Sequence, residues 1–147
     1  NVLKLNDANS TEFDENTSND VIHIMPEQHK IETKGGTMRL GTYPCQLLAN
    51  SKAYKAYNES LTHERHRHRF EVNNAFRGTF EKYGLMATGV SPDGRLVEIF
   101  EVVAHPFMIG VQFHPEFLSS IEHPAPLFTE FIKVCLKNIT QKKLKSK

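Results

Sequence analysis

The feature that most constrains this chain is the run 107–113, Phe-Met-Ile-Gly-Val-Gln-Phe, which is apolar at nearly every position and has the length of one strand. Such a run predicts a strand buried on both faces, and so a sheet with neighbours around it, because polar alternation is missing. The run ends abruptly at His114-Pro115-Glu116. A strand that ends by projecting an imidazole, with a carboxylate two residues on and a proline stiffening the link, can build a positioned base. Glu116 can accept a hydrogen from Nδ1 of His114, which fixes the tautomer and leaves Nε2 to take a proton. The competing reading is a turn histidine beside a surface glutamate, and the tripeptide alone does not separate the two.

The remaining pattern is α/β. Residues 1–5 read as the end of a helix or a short turn, and 7–19, rich in Asn, Ser, Thr, Asp and Glu, as a loop. A short strand is predicted over 21–25, closed by Pro26, followed by a polar stretch 27–34 that leads to Gly35 and Gly36. Residues 37–40 and 43–48 read as two strands of a hairpin about Gly41, and 49–57 as a short helix. Phe76, Phe80 and Tyr83 have helical spacing within 75–83, and Gly84 sits where a left-handed cap glycine belongs. Two strands, 85–90 and 95–103, flank the turn Ser91-Pro92-Asp93-Gly94. Within 124–138, Leu127, Phe128, Phe131, Ile132, Cys135 and Leu136 share one helical face, which predicts a helix closing over the sheet.

A chain of 147 residues has room for one domain with a core and none for a second. That domain is expected over 1–138, with the lysine-rich residues 139–147 as a basic, disordered tail. Net charge is +1, and with the lysines concentrated at the end the body is mildly acidic, which excludes a global basic field for nucleic acid. Two cysteines are too few for a disulfide scaffold and suit a reducing, cytoplasmic setting. No apolar run is long enough to cross a bilayer, and nothing at the start resembles a signal sequence. The first residue is not methionine, which fits a fragment or a mature piece.

A second informative stretch is 64–73, Glu-Arg-His-Arg-His-Arg-Phe-Glu-Val-Asn. If extended, it places Arg65, Arg67 and Arg69 on one face and His66, His68 and Phe70 on the other. Three guanidinium groups on one face seek carboxylates or phosphates. A solvated basic edge strand is the plain alternative. A metal site from His63, His66, His68 and His114 matches no common zinc spacing, and the intervening arginines repel a cation. A nucleic-acid patch would have Phe70 as its one nearby aromatic. Cys45 follows Pro44 and lacks the glycines of a nucleophile elbow, so it reads as a small residue packed in a strand, and Cys135 reads as core. The chain thus carries a base and its orienter without a nucleophile to serve.

Residues 111–116, Val-Gln-Phe-His-Pro-Glu, resemble the histidine–glutamate turn of class I glutamine amidotransferases. The block 64–74, the block Gly-Gly-Thr-Met-Arg-Leu-Gly at 35–41, and Ala-Asn-Ser-Thr-Glu-Phe at 8–13 resemble, in register from Asn1 to Asn138, the glutaminase domain of the CTP synthase family. The resemblance implies a flavodoxin-like three-layer fold, present here as its C-terminal part without the first strands and the nucleophile elbow. It implies that His114 and Glu116 are the base and orienter of a Cys-His-Glu triad. Glu12 would hold the α-ammonium of glutamine and Arg69 its α-carboxylate, with Arg65 and Arg67 structural.

The thiolate is expected upstream in a glycine-flanked elbow, so the chain alone should not hydrolyse glutamine. Ammonia is expected to pass to a synthetase domain of the same polypeptide, which would hold UTP, ATP and magnesium and make CTP for pyrimidine nucleotide synthesis. No cofactor is expected on these residues. GTP is the expected activator, with no residue assigned, and a homotetramer is expected through the synthetase domain. No nucleic acid or membrane partner is expected. An exposed strand edge beside 107–113 should favour poor solubility or dimerisation. Three alternatives stay open: an amidotransferase domain serving another synthetase, a noncatalytic binding module of the same fold, and, last, a metal-dependent hydrolase.

Overall fold

The alternation in 61–68 is obeyed in space. In a computed structural model describing residues 3–24 and 38–145, strand β4 (Leu61–His68) buries Thr62, Glu64 and His66 and exposes Leu61, His63, Arg65 and Arg67. Its partner is β3 (Arg39–Leu47), antiparallel, in register from Arg39 opposite His68 to Gln46 opposite Leu61. Here the predicted hairpin about Gly41 is corrected. Residues on both sides of Gly41 pair with the same strand, so the chain runs straight through, and Gly41 absorbs a local irregularity at φ 107°. The predicted turn at Gly35 and Gly36, the polar stretch before it, Met25, Pro26 and Thr37 lie outside the described residues.

Strands β6 (Leu85–Val90) and β7 (Val97–Val102) form the predicted hairpin, and with β8 (Ile109–Val111) complete a five-stranded sheet in the order β4-β3-β6-β7-β8. Gly89 is required by close approach. A Cβ there would stand 2.5 Å from Cγ1 of Ile99 and 2.7 Å from Sγ of Cys45. The expectation of a strand buried on both faces over 107–113 is corrected. Only Ile109–Val111 pairs, with β7 alone, and Met108 is 56% exposed, because this run forms the sheet's edge.

A second sheet has three strands in the order β1-β2-β5. Strand β1 (Ala8–Ser10) lies inside the stretch predicted as loop; it runs parallel to β2 (Asn19–His23), which pairs antiparallel with β5 (Glu71–Val72). Leu3–Leu5 are not helical, in contrast to one reading of the first residues. Because β4 belongs to the large sheet and β5 to the small one, the chain crosses between sheets at Arg69 and Phe70.

Helix α1 (Lys52–Tyr57) starts on Ser51, whose Oγ accepts the Tyr54 N–H at 2.9 Å. The buried Glu101 carboxylate accepts the Lys52 and Ala53 N–H groups at 3.0 and 2.8 Å, so a fixed anion sits on the helix's positive end. Helix α2 (Arg77–Lys82) follows a 3-10 turn, Asn74–Phe76, and ends before Gly84 at φ 84°, as the spacing predicts. One core cluster joins Cys45, Leu47, Ala53, Ile99, Phe113 and Leu127; another joins Val72, Phe80, Ala87 and Val97.

Helix α3 (Pro126–Lys145) corrects three expectations. It continues past Asn138 through the lysine stretch to Lys145. Leu127 is buried, but Phe128, Phe131, Ile132 and Leu136 are each 45–59% exposed, so most of the apolar face is uncovered instead of closing over the sheet. Cys135 is half-buried rather than core. Among the described residues no helix is long and apolar enough to cross a membrane.

Candidate active site

His114 is placed by backbone before its side chain acts. Its N–H donates to the Arg65 carbonyl at 2.8 Å, which ties the end of the β8 segment to β4. Pro115 then opens a 3-10 turn, Pro115–Leu118, where its fixed φ suits the first position and its missing N–H costs nothing. The turn brings Glu116 back under the ring, and Nδ1 of His114 lies 2.8 Å from Oε1 of Glu116. Phe117 stacks on the imidazole at 4.9 Å between centroids and 18° between planes. With Nδ1 donating to a carboxylate and one face covered, Nε2 is left with no hydrogen-bond partner among the described residues. The hydrogen bond from His114 also holds the Glu116 carboxyl below the usual carboxylate range.

Glu12, after β1, and Arg69, between β4 and β5, line one cleft of about 540 Å³, with Phe13, His68, Phe70 and Gln112 among its other walls. Glu12 sits in the turn after β1, where the Phe13 and Asp14 N–H groups donate to the Ser10 carbonyl at 3.0 and 3.1 Å. Arg69 stands at the crossing between sheets. An anion and a cation are therefore set in one hollow with aromatic walls, a frame suited to a zwitterion. Gln112 lines the same hollow two residues before His114, so the cleft and the base share one short segment. The four predicted residues thus form two pairs, His114 with Glu116 and Glu12 with Arg69; His114 and Glu116 are not among the walls of the hollow, which Gln112 lines two residues earlier in the chain. Arg65 and Arg67 are exposed and make no ion pair among the described residues, and Arg67 also lines the hollow that holds Glu12 and Arg69. A separate apolar hollow lined by Leu3, Val21, Phe80 and Met108 contains none of the four.

The two thiols of the chain stand in different settings. Cys45 is 0% exposed, and burial first, then Glu98 and Glu64, push its thiol up to about 12, so it is no thiolate at neutral pH. Cys135 lies on α3. Among the described residues no group of three or more His, Cys, Asp or Glu side chains is placed to hold a metal ion.

Sequence reasoning missed a buried polar layer beneath the site. Arg39 lies 2.8 Å from Glu98 and 3.3 Å from Glu71, His68 Nε2 lies 2.9 Å from Glu71, and Gln112 Nε2 lies 3.4 Å from the other Glu71 oxygen. His66 Nδ1 is 3.7 Å from Glu98, its ring edge-on to Tyr43 and Phe113. Burial, aided by Arg39, His68 and His114, lowers His66 to about 3, so it is neutral, while burial raises the Glu98 carboxyl against the pull of Arg39. The available signal was Glu98 standing inside the apolar run of β7, where an unpaired charge could not survive.

The model of a family described as glutamine amidotransferase class-I matches residues 10–134. CTP synthases of Cyanothece sp. and Thermomicrobium roseum are 58% identical over 132 residues and 59% identical over 134 residues, covering 90% and 91% of this chain. The chain spans 24% of the length of each of these relatives. A solved structure described as the Trypanosoma brucei CTPS glutaminase domain with bound acivicin superposes with a TM-score of 0.84 at 35% identity, covering 93% of this chain and 53% of that one.

Proposed function

Since the chain belongs to the class I glutamine amidotransferase family, we propose that it is the glutaminase portion of a CTP synthase, supplying ammonia for the ATP-dependent amination of UTP. The observation that carries this reading is the pairing of Glu12 and Arg69 in one cleft that Gln112 connects to the His114–Glu116 turn. Glutamine binds with its α-ammonium on Glu12 and its α-carboxylate on Arg69. These contacts fix the end of the substrate that does not react and aim the side-chain amide toward the imidazole.

Nε2 of His114 takes the proton of a thiol brought by another part of the polypeptide, since Cys45 is sealed and Cys135 lies on α3. The thiolate adds to the amide carbon, and the tetrahedral adduct collapses as His114 returns the proton to the departing nitrogen, releasing ammonia and leaving a thioester. A water molecule, deprotonated by the same imidazole, then adds to the thioester and releases glutamate and the thiol. Glu116 keeps Nδ1 protonated and stabilises the imidazolium in both halves. Ammonia passes to the synthetase domain, where it displaces phosphate from UTP activated at its fourth position. ATP, magnesium and tetramer assembly belong to that part, GTP acts as activator at a site assigned to no residue, and two unpaired thiols suit a cytoplasmic setting.

In the complete polypeptide, His114→Ala is expected to lower glutamine-dependent CTP formation by about a thousandfold or more. Formation from added ammonia should be unchanged, because the imidazole acts only where ammonia is released. Equal loss of both activities would overturn the reading. The 147-residue chain by itself is expected to release no ammonia from glutamine.

A further inference from the structure

The crossing between sheets at Arg69 leaves a mechanical problem. Glu12 sits in the turn that follows β1 of the three-stranded sheet, the Gln112–His114 segment follows β8 of the five-stranded sheet, and the two must keep a fixed separation for one substrate to touch both. Glu71 is the residue that spans them. It is the first residue of β5 in the small sheet and its side chain is 1% exposed. Among the described residues, the side chains that meet its carboxylate come from the large sheet or its continuation: Arg39 of β3 at 3.3 Å, His68 of β4 at 2.9 Å, and Gln112 after β8 at 3.4 Å. His68 and Gln112 are themselves walls of the cleft, and Gln112 also reaches the Phe70 carbonyl at 3.5 Å.

We propose that Glu71 is a positioning residue, a clamp between the sheets that sets where the cleft walls Arg69, His68 and Gln112 stand relative to Glu12; the proposal rests on the glutaminase reading above. The carboxylate touches no substrate. It acts through Arg69, two residues earlier at the crossing, and through Gln112, two residues before the base. A carboxylate suits the task, since its two oxygens accept from several donors at once and its charge meets Arg39, which a neutral amide cannot match. Loosening the clamp shifts Arg69 relative to Glu12, so the two charged ends of the glutamine head are held less well and ground-state binding weakens more than chemistry.

The test uses the complete polypeptide. Glu71→Gln is expected to raise KM for glutamine about tenfold with kcat falling less than threefold, and Glu71→Ala to raise KM further, while ammonia-dependent CTP formation stays within twofold of the parent. In an Arg69→Ala background, where the contact being positioned is already gone, Glu71→Gln should change KM by less than twofold. A role in folding alone predicts equal loss of the glutamine- and ammonia-dependent activities, and that result overturns the clamp. So does an unchanged KM in Glu71→Gln, or a Glu71→Gln effect equally large with and without Arg69. His114→Ala measured alongside separates the two ideas. If it spares glutamine-dependent synthesis, the site reading and the clamp fall together; if it abolishes that synthesis and Glu71→Gln leaves KM alone, only the clamp falls.

Discussion

His66 and His114 stand on neighbouring segments of the molecule, and the ring of Phe113, the residue before His114, meets the ring of His66 at 5.8 Å. His66 is sealed in the layer between Tyr43, Phe113 and Glu98, with both ring nitrogens lacking a hydrogen bond among the described residues. His114 is half-open, with Nδ1 on Glu116 and Phe117 on its face. Burial makes the first imidazole refuse a proton and leaves it a packing group. A single well-placed acid and an open nitrogen leave the second able to accept one. The difference teaches that access to solvent and the identity of one partner, more than residue type, separate a structural histidine from a chemical one.

The sealed side should break first. Glu98→Ala removes one of the two acids facing buried Arg39 and is expected to cost about 3–5 kcal/mol in urea unfolding. A cost under about 1 kcal/mol would mean that Glu71 alone balances that cation. Next comes pH. His66 titrates near 6.5 when unfolded and about 3 when folded, so its contribution is fully present above 6.5 and is lost as pH falls toward 3. The slope is about 1.4 kcal/mol per pH unit, or about 2 kcal/mol between pH 6.5 and 5. In His66→Phe that slope should disappear from the stability profile, with stability at pH 7 equal to or above the parent, since two unsatisfied nitrogens are gone. An unchanged slope would show that His66 is not held neutral.

The open side gives the smallest effect. Glu116→Gln keeps a hydrogen-bond acceptor for Nδ1 but removes the charge, and because the pair is exposed, glutaminase kcat in the complete polypeptide should fall about tenfold, not thousandfold. The Glu116 carboxyl lies below the usual range, so its charge on His114 is present above that lowered value and lost as pH falls through it. Any acid limb of the rate profile arising from that loss should vanish in Glu116→Gln.

Much of this was legible in the chain. The split of Arg65 and Arg67 from His66 follows from a two-residue period, which sterics enforce on any strand. The β6–β7 hairpin and the glycine cap at Gly84 follow from local turn chemistry. The pairing of His114 with Glu116 follows from a two-residue separation across a proline. What misled was information about neighbours. An apolar run such as 107–113 cannot say whether it lies in the middle of a sheet or on its edge, and the apolar face of α3 cannot say what covers it. Gly41 looked like a turn because only β4, more than twenty residues away, could reveal one continuous strand.

Sequence alone determined the local pieces whose causes lie within a few residues: the strand alternation, the caps, the triad-like turn, and the residue types at the two ends of the cleft. Tertiary structure decided which pieces meet. It put Glu12 and Arg69 in one hollow across two sheets, sealed Cys45 and His66, and gathered Arg39, Glu71 and Glu98 beneath the site. The reason is physical. Backbone preferences act over a turn or a strand, whereas burial and charge pairing depend on segments far apart in the chain that meet only when the core closes.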